Sequence, residues 1–332
     1  MKRFCIKFCL LFFLIDGFIG FYHFGIRPDL TGDMGELGQI PFGQEYMKQV
    51  NASRPHERQM VQDISLEDSI TASLVTLGDS FSQQGERGYS QFLAELLHGN
   101  IQNIKHKETP EQTLIELLYY DRIPPQTTVL LEVVERNMIL GMCWINFEDT
   151  TESAFRRTEK KEERNPNDQR VMQNALQFLK KSVGIQQTIL RFPTSKELFS
   201  HPKRKNELYI YDSPNDKDGD LRFTELTEKD IFYGYQNMYT LHQLAKSKGV
   251  NLIILIAADK YDVYEPFIRS PHPQNHTLDS CPDEPWIINT KPLLQRQAYA
   301  GTKDLYYLND THWSPVGAKL VAEEIYQRVY PD

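Results

Sequence analysis

Two stretches of this chain, TTVLLEVVERNM (127–138) and VNLIILIAADKYDVY (250–264), limit its fold more than any others. Each carries a run dominated by β-branched and leucine residues, with no alternation of apolar and polar positions. A strand with one wet face alternates; a strand covered on both faces does not. Both therefore predict buried strands with parallel neighbours, and parallel neighbours need crossover helices. Helical spacing follows in the expected places. YSQFLAELLHG (89–99) stops at Gly99, residues 229–248 run to Gly249, and residues 315–328 close the chain. Shorter β-type runs occur at 73–77 and at 304–308 (DLYYL). Strands alternating with helices predict an α/β fold, a doubly wound, mostly parallel sheet in three layers of the flavodoxin-like kind.

The alternation fails between about 146 and 226. RRTEKKEERNPNDQR reads as a solvated helix or loop. An amphipathic helix (171–186) and a hairpin, ELYIYDSPNDKDGDLRFTEL, follow it. Asp216, Asp218 and Asp220 suggest a calcium loop, but Leu221 stands where that loop needs glycine, so a hairpin turn is the better reading. This block is expected to be an inserted cap that covers or frames a site in the catalytic region 71–332. Residues 26–70, polar and punctuated by glycine and proline, read as a stalk and capping segment.

The chain has 332 residues, 40% of them apolar, enough for a sizeable core. A net charge of −8, with no basic stripe, argues against nucleic acid. Residues 1–25 begin with Lys2 and Arg3 and continue with an apolar run about long enough to cross a bilayer. A signal anchor or a cleaved signal peptide both fit, and the bulky Tyr22, His23 and Phe24 where a cleavage site would stand favour the anchor. Either exports the remainder. The expected location is the bacterial inner membrane, single-pass, with the catalytic region on the periplasmic side. Cys143 and Cys281 are the only thiols beyond that segment; one disulfide or two free thiols are equally open. No Cys/His spacing suggests a metal, and no phosphate-cradling glycine loop is present.

The chemistry-bearing residues cluster at predicted strand ends. Leu77-Gly78-Asp79-Ser80-Phe81-Ser82 puts a serine on a tight turn after a strand, and Asp79 is placed to brace it. A serine hydroxyl needs a base to become a nucleophile. Asp310-Thr311-His312-Trp313 offers one: His312 as base, with Asp310 to orient it from the same loop. Ser314 and Pro315 then start a helix and anchor that loop. Asn309 lies in a glycosylation sequon, as do Asn51 and Asn275. A glycan at Asn309 would smother such a site, which points to a non-glycosylating export system.

GDSFS early and Asp-x-His late resemble the SGNH/GDSL hydrolase superfamily. Asp310-Thr311-His312-Trp313 with Gly317 resembles the alginate O-acetyltransferase group within it, with support from Glu135-Arg136 and Asp259-Lys260-Tyr261. The resemblance spans roughly 73–325, except the charged middle block. It implies an SGNH-hydrolase-like fold and a Ser80–His312–Asp310 triad that moves an acyl group, acetyl by expectation, onto a polysaccharide. It also implies a membrane-bound acyl-donor protein as partner and needs no cofactor. The Gly and Asn blocks of the usual oxyanion hole are not legible. Arg136 and Asn137 are the candidates, against an ion-paired arginine and a polar loop residue. Lys260 and Tyr264 are expected to shape the pocket or the fold more than to touch substrate. Trp313 either walls an acyl or sugar subsite or packs. A carbohydrate esterase with the same triad and an inactive glycan-binding subunit are the alternatives.

Overall fold

The computed structural model describes residues 44–53, 60–106, 109–143, 188–212, 221 and 227–330. The strands among them are β1 Val61–Ile64, β2 Leu74–Gly78, β3 Ile101–Ile104, β4 Thr128–Val134, β5 Thr188–Pro193, β6 Glu207–Asp212, β7 Asn251–Ala257 and β8 Ile287–Asn289. Six of them form one sheet in the order β1-β3-β2-β4-β7-β8, and every neighbouring pair is parallel. The two apolar runs pair with each other at its centre, Thr128 opposite Asn251 through Val134 opposite Ala257. Apart from the first residue of each, both strands are buried. Burying each Val, Leu or Ile side chain there stabilises the fold by roughly 1.5–3 kcal/mol.

The described helices are α1 Gln44–Asn51, α2 Tyr89–Leu97, α3 Pro110–Tyr119, α4 Glu135–Cys143, α5 Glu228–Ser247, α6 Lys260–Tyr264, α7 Thr290–Tyr299 and α8 Pro315–Val329. Helix α8 packs on α2 and α7, while α5 packs on α4 and α3, one group on each side of the sheet. The protein is thus a doubly wound three-layer α/β structure. From β2 the chain steps outward to β3, then returns past β2 to reach β4. The crevice between the carboxyl ends of β2 and β4 is the switch point where such sheets bind ligands.

Several boundaries differ from the sequence reading. The strand expected over 127–138 ends at Val134, and Glu135-Arg136-Asn137 begin α4. The run at 250–264 likewise divides into β7 and the short helix α6. DLYYL is not a strand: it makes only an isolated antiparallel bridge, Tyr306 to Trp313. Helix α2 is closed by His98 in the left-handed conformation (φ 48°), one residue before the expected Gly99. The segment read as a stalk and cap supplies an edge strand, β1, and helix α1.

Within the block expected as an insertion, β5 and β6 pair antiparallel in a sheet of their own. Strand β6 therefore pairs with an upstream segment; the hairpin turn expected after it, the charged run and the helix at 171–186 lie outside the described residues. The small sheet is tied to the turn after α6, where Ser195 N–H donates to Phe267 O at 2.7 Å and Arg269 N–H to Pro193 O at 3.0 Å. Cys281 is a half-buried free thiol, and its pKa is pushed up to about 11 by burial.

Candidate active site

Strand β2 delivers Ser80 two residues past its end. The turn is tight: Ser82 N–H donates to Asp79 O (3.1 Å) and Gln83 N–H to Ser80 O (3.2 Å). Asp79 braces it, accepting the Val134 N–H at the end of β4 at 3.4 Å. A Cβ on Gly78 would stand 2.4 Å from Ser82 Oγ and 2.6 Å from Glu132 Oε2, so only glycine fits. Ser80 itself is exposed.

The Asp310–His312 loop meets this turn through the next residue along. Phe81 is fully buried, its ring 4.9 Å from that of His312 and 4.5 Å from that of Trp313. Gln84 Nε2 adds a hydrogen bond to Trp313 O at 3.2 Å. Asp310 Oδ1 accepts from His312 Nδ1 at 2.5 Å and from the His312 backbone N–H at 3.0 Å. A carboxylate can only accept, so Nδ1 is the donor in that bond, which fixes the orientation of the imidazole ring. The His312 and Asp310 side chains are 17% and 16% exposed, enough to be reached from solvent.

Three elements hold the loop. Lys260 Nζ, wholly buried at the start of α6, donates to Leu308 O (2.8 Å) and Asp310 O (3.3 Å). Tyr46 of α1 accepts the Leu308 N–H on its hydroxyl at 3.1 Å. Ser314 caps α8 by accepting Val316 N–H at 3.0 Å, and its own N–H donates to Leu305 O at 3.1 Å. Gly317 lets α8 pass close, since a Cβ there would be 2.1 Å from Leu305 O.

The remaining sequence candidates occupy other roles. The Arg136 guanidinium forms a buried ion pair with Asp259, which also accepts the Arg136 N–H at 3.2 Å. This arginine is the ion-paired alternative rather than an open anion site. Glu135 joins the same cluster, accepting from Asp259 N–H (2.9 Å) and Asn275 Nδ2 (2.6 Å). Burial first, then the charges of Asp262 and Asp259, raise the Glu135 pKa well above the carboxylate range. Asn137 is half-buried in the first turn of α4, at the carboxyl end of β4. Trp313 is fully buried against Phe81 and Tyr89, so it packs and walls no open subsite. Tyr264, equally buried, stacks edge-on to Phe199 and Tyr306 and shapes the core. Asn275 and Asn309 are buried too, leaving no room for a glycan on the folded chain.

Sequence reasoning passed over three titratable residues around the serine turn. His106 donates from Nε2 to Gly78 O at 2.7 Å. Glu111 lies in the first turn of α3, with its pKa raised to about 7 by burial and secondarily by the charge of Asp79. Glu132 lies within β4, directly opposite Gly78. Its signal was a lone carboxylate inside an apolar run. Among the described residues no group of three His, Cys, Asp or Glu side chains is placed to hold a metal ion. Among them, too, no helix is long and apolar enough to cross a membrane, and residues 1–25 lie outside the described part. Neither a protein-family model nor a curated protein matches the chain.

Proposed function

We propose that this protein is an exported serine O-acyltransferase that acetylates a cell-surface or secreted polysaccharide. One observation carries the reading: an Asp-oriented histidine whose ring lies against the residue next to an exposed serine, at the switch point of a doubly wound sheet. Ser80 Oγ attacks the acyl carbonyl while His312 Nε2 takes its proton. The tetrahedral intermediate collapses, and the departing donor oxygen leaves with that proton. A sugar hydroxyl then gives its proton to Nε2 and attacks the acyl-serine, and Ser80 Oγ recovers the proton as the ester leaves. Asp310 stabilises the imidazolium at both stages. The resemblance to the alginate O-acetyltransferase group supports polysaccharide as acceptor, a membrane-bound donor protein as partner and the N-terminal segment as membrane anchor.

The exposure of Ser80 favours a second reading, an esterase in which water takes the place of the sugar hydroxyl. One experiment separates the two. The full chain and Ser80→Ala are incubated with a chromogenic acetyl ester, with and without oligosaccharide. Turnover lost in Ser80→Ala, with acetylated sugar in the products, is the expected result. Turnover without transfer selects the esterase. No turnover and no acetyl adduct on Ser80 would leave an inactive glycan-binding subunit.

A further inference from the structure

Glu132 is fully buried in a strand whose other buried positions are all apolar. A carboxyl group in such a place costs stability that valine or leucine would not, unless its hydrogen bonds matter. Those bonds all run to one residue. Glu132 Oε2 accepts both the backbone N–H of Ser82 (3.1 Å) and its hydroxyl (3.0 Å), and Ser82 Oγ lies 2.8 Å from the Tyr89 hydroxyl. Gly78, opposite Glu132 in the register, lacks the Cβ that would collide with both partners.

We propose that Glu132 is a positioning residue for acyl transfer at Ser80, holding the nucleophile's turn from the neighbouring strand through Ser82. The proposal rests on the acyl-transfer reading above. Ser80 is pinned on both sides, by Asp79 on the Val134 N–H and by Ser82 on Glu132. Glu132 does not touch the reacting atoms, because Ser82 stands between. Burial, and then the charge of Asp79, raise its pKa well above the carboxylate range. A nucleophile displaced by about 1 Å loses on the order of 100-fold in rate, which is the leverage such a tether has.

The test compares the full chain with Glu132→Gln, Glu132→Leu and Ser82→Ala. Readouts are kcat and KM on a chromogenic acetyl ester, the rate of Ser80 labelling by a fluorophosphonate, and thermal melts. Glutamine offers the same accepting oxygen, so Glu132→Gln should keep kcat within about threefold of the parent. Glu132→Leu should lower kcat and the labelling rate together by roughly 10- to 100-fold, with KM little changed. Ser82→Ala keeps the backbone bond and should fall between them; it carries the test if the leucine variant does not fold. Labelling by Glu132→Leu or Ser82→Ala at the parental rate overturns the proposal, as does a glutamine variant no better than leucine. If the parent chain itself is not labelled at Ser80, the acyl-transfer reading falls and the proposal with it. Parental labelling that ignores these substitutions sinks the proposal alone.

Discussion

Asp310 takes two hydrogen bonds from a single residue, the ring and the backbone N–H of His312. Asparagine in its place would keep the shape of the loop but present an amide that favours the wrong imidazole tautomer. Asp310→Asn is expected to lower kcat on an acetyl ester by on the order of 10³- to 10⁴-fold, with the melting temperature little moved. A fall under tenfold would remove Asp310 from the triad. This pair was legible in the sequence because its members sit two positions apart in one loop. Glu132 was not, because one carboxylate in LLEVV disappears into the average apolarity of the run. Trp313 was undecidable for another reason. An aromatic beside a histidine reads alike as a wall or as filling, and only the rings of Phe81 and Tyr89 around it decide.

The element that matters most is the loop of residues 305–314, which is held without belonging to the sheet. Its apolar DLYYL segment looked like a strand, yet its backbone bonds go elsewhere. Leu308 N–H reaches Tyr46, Tyr307 N–H reaches His312 O at 3.2 Å, and Leu308 O takes the Lys260 ammonium. Lys260→Met would strip two carbonyls of a charged donor while keeping the stem that packs in the core. Activity should drop roughly 10- to 100-fold, mainly in kcat, with about 1.5–3 kcal/mol of stability lost. Unchanged kcat in a folded Lys260→Met variant would show that the loop holds its position without that contact. The short strands were hidden by their composition. Strand β3 reads IQNI, and its two polar residues are satisfied laterally. Gln102 Oε1 accepts from Thr71 and Ala72 N–H at 2.7 and 2.9 Å, and Asn103 bonds Thr76 and Asp63. The long runs at β4 and β7 had no such disguise.

Over the whole molecule, buried acids shape the response to pH. Burial is the leading cause that raises Glu111 and Asp262 to about 7, with Asp262 partly offset by Lys291, and it raises Glu132 and Glu135 as well. Unfolded carboxyls titrate near 4, so across the interval from about 4 to 7 the folded protein holds more protons. The stability these groups contribute is whole at the acidic end of that interval and is lost as pH rises through 7. Glu207 and Asp279, held low by their hydrogen-bonded partners, work oppositely and lose their contribution only as pH falls below the ordinary carboxylate range. His201 and His242, whose pKa burial lowers, oppose this trend, but the carboxyls raised to about 7 outweigh them, so the melting temperature is expected to fall between pH 5.5 and pH 8, by on the order of 5 °C. Glu111→Gln should flatten that slope; a parental melting temperature that climbs over the interval would contradict the assignment.

The bond between Tyr46 and Leu308 joins positions 262 residues apart. A ribosome must therefore release 262 further residues after Tyr46 before helix α1 can find its berth. Closing a loop of that length costs roughly 5 kcal/mol of chain entropy, and contacts of such span slow folding. The loop that carries Asp310 and His312 would then be among the last parts to settle, after the central strands have paired. A polypeptide that ends before residue 305 would carry Ser80 without the loop that brings His312 against Phe81.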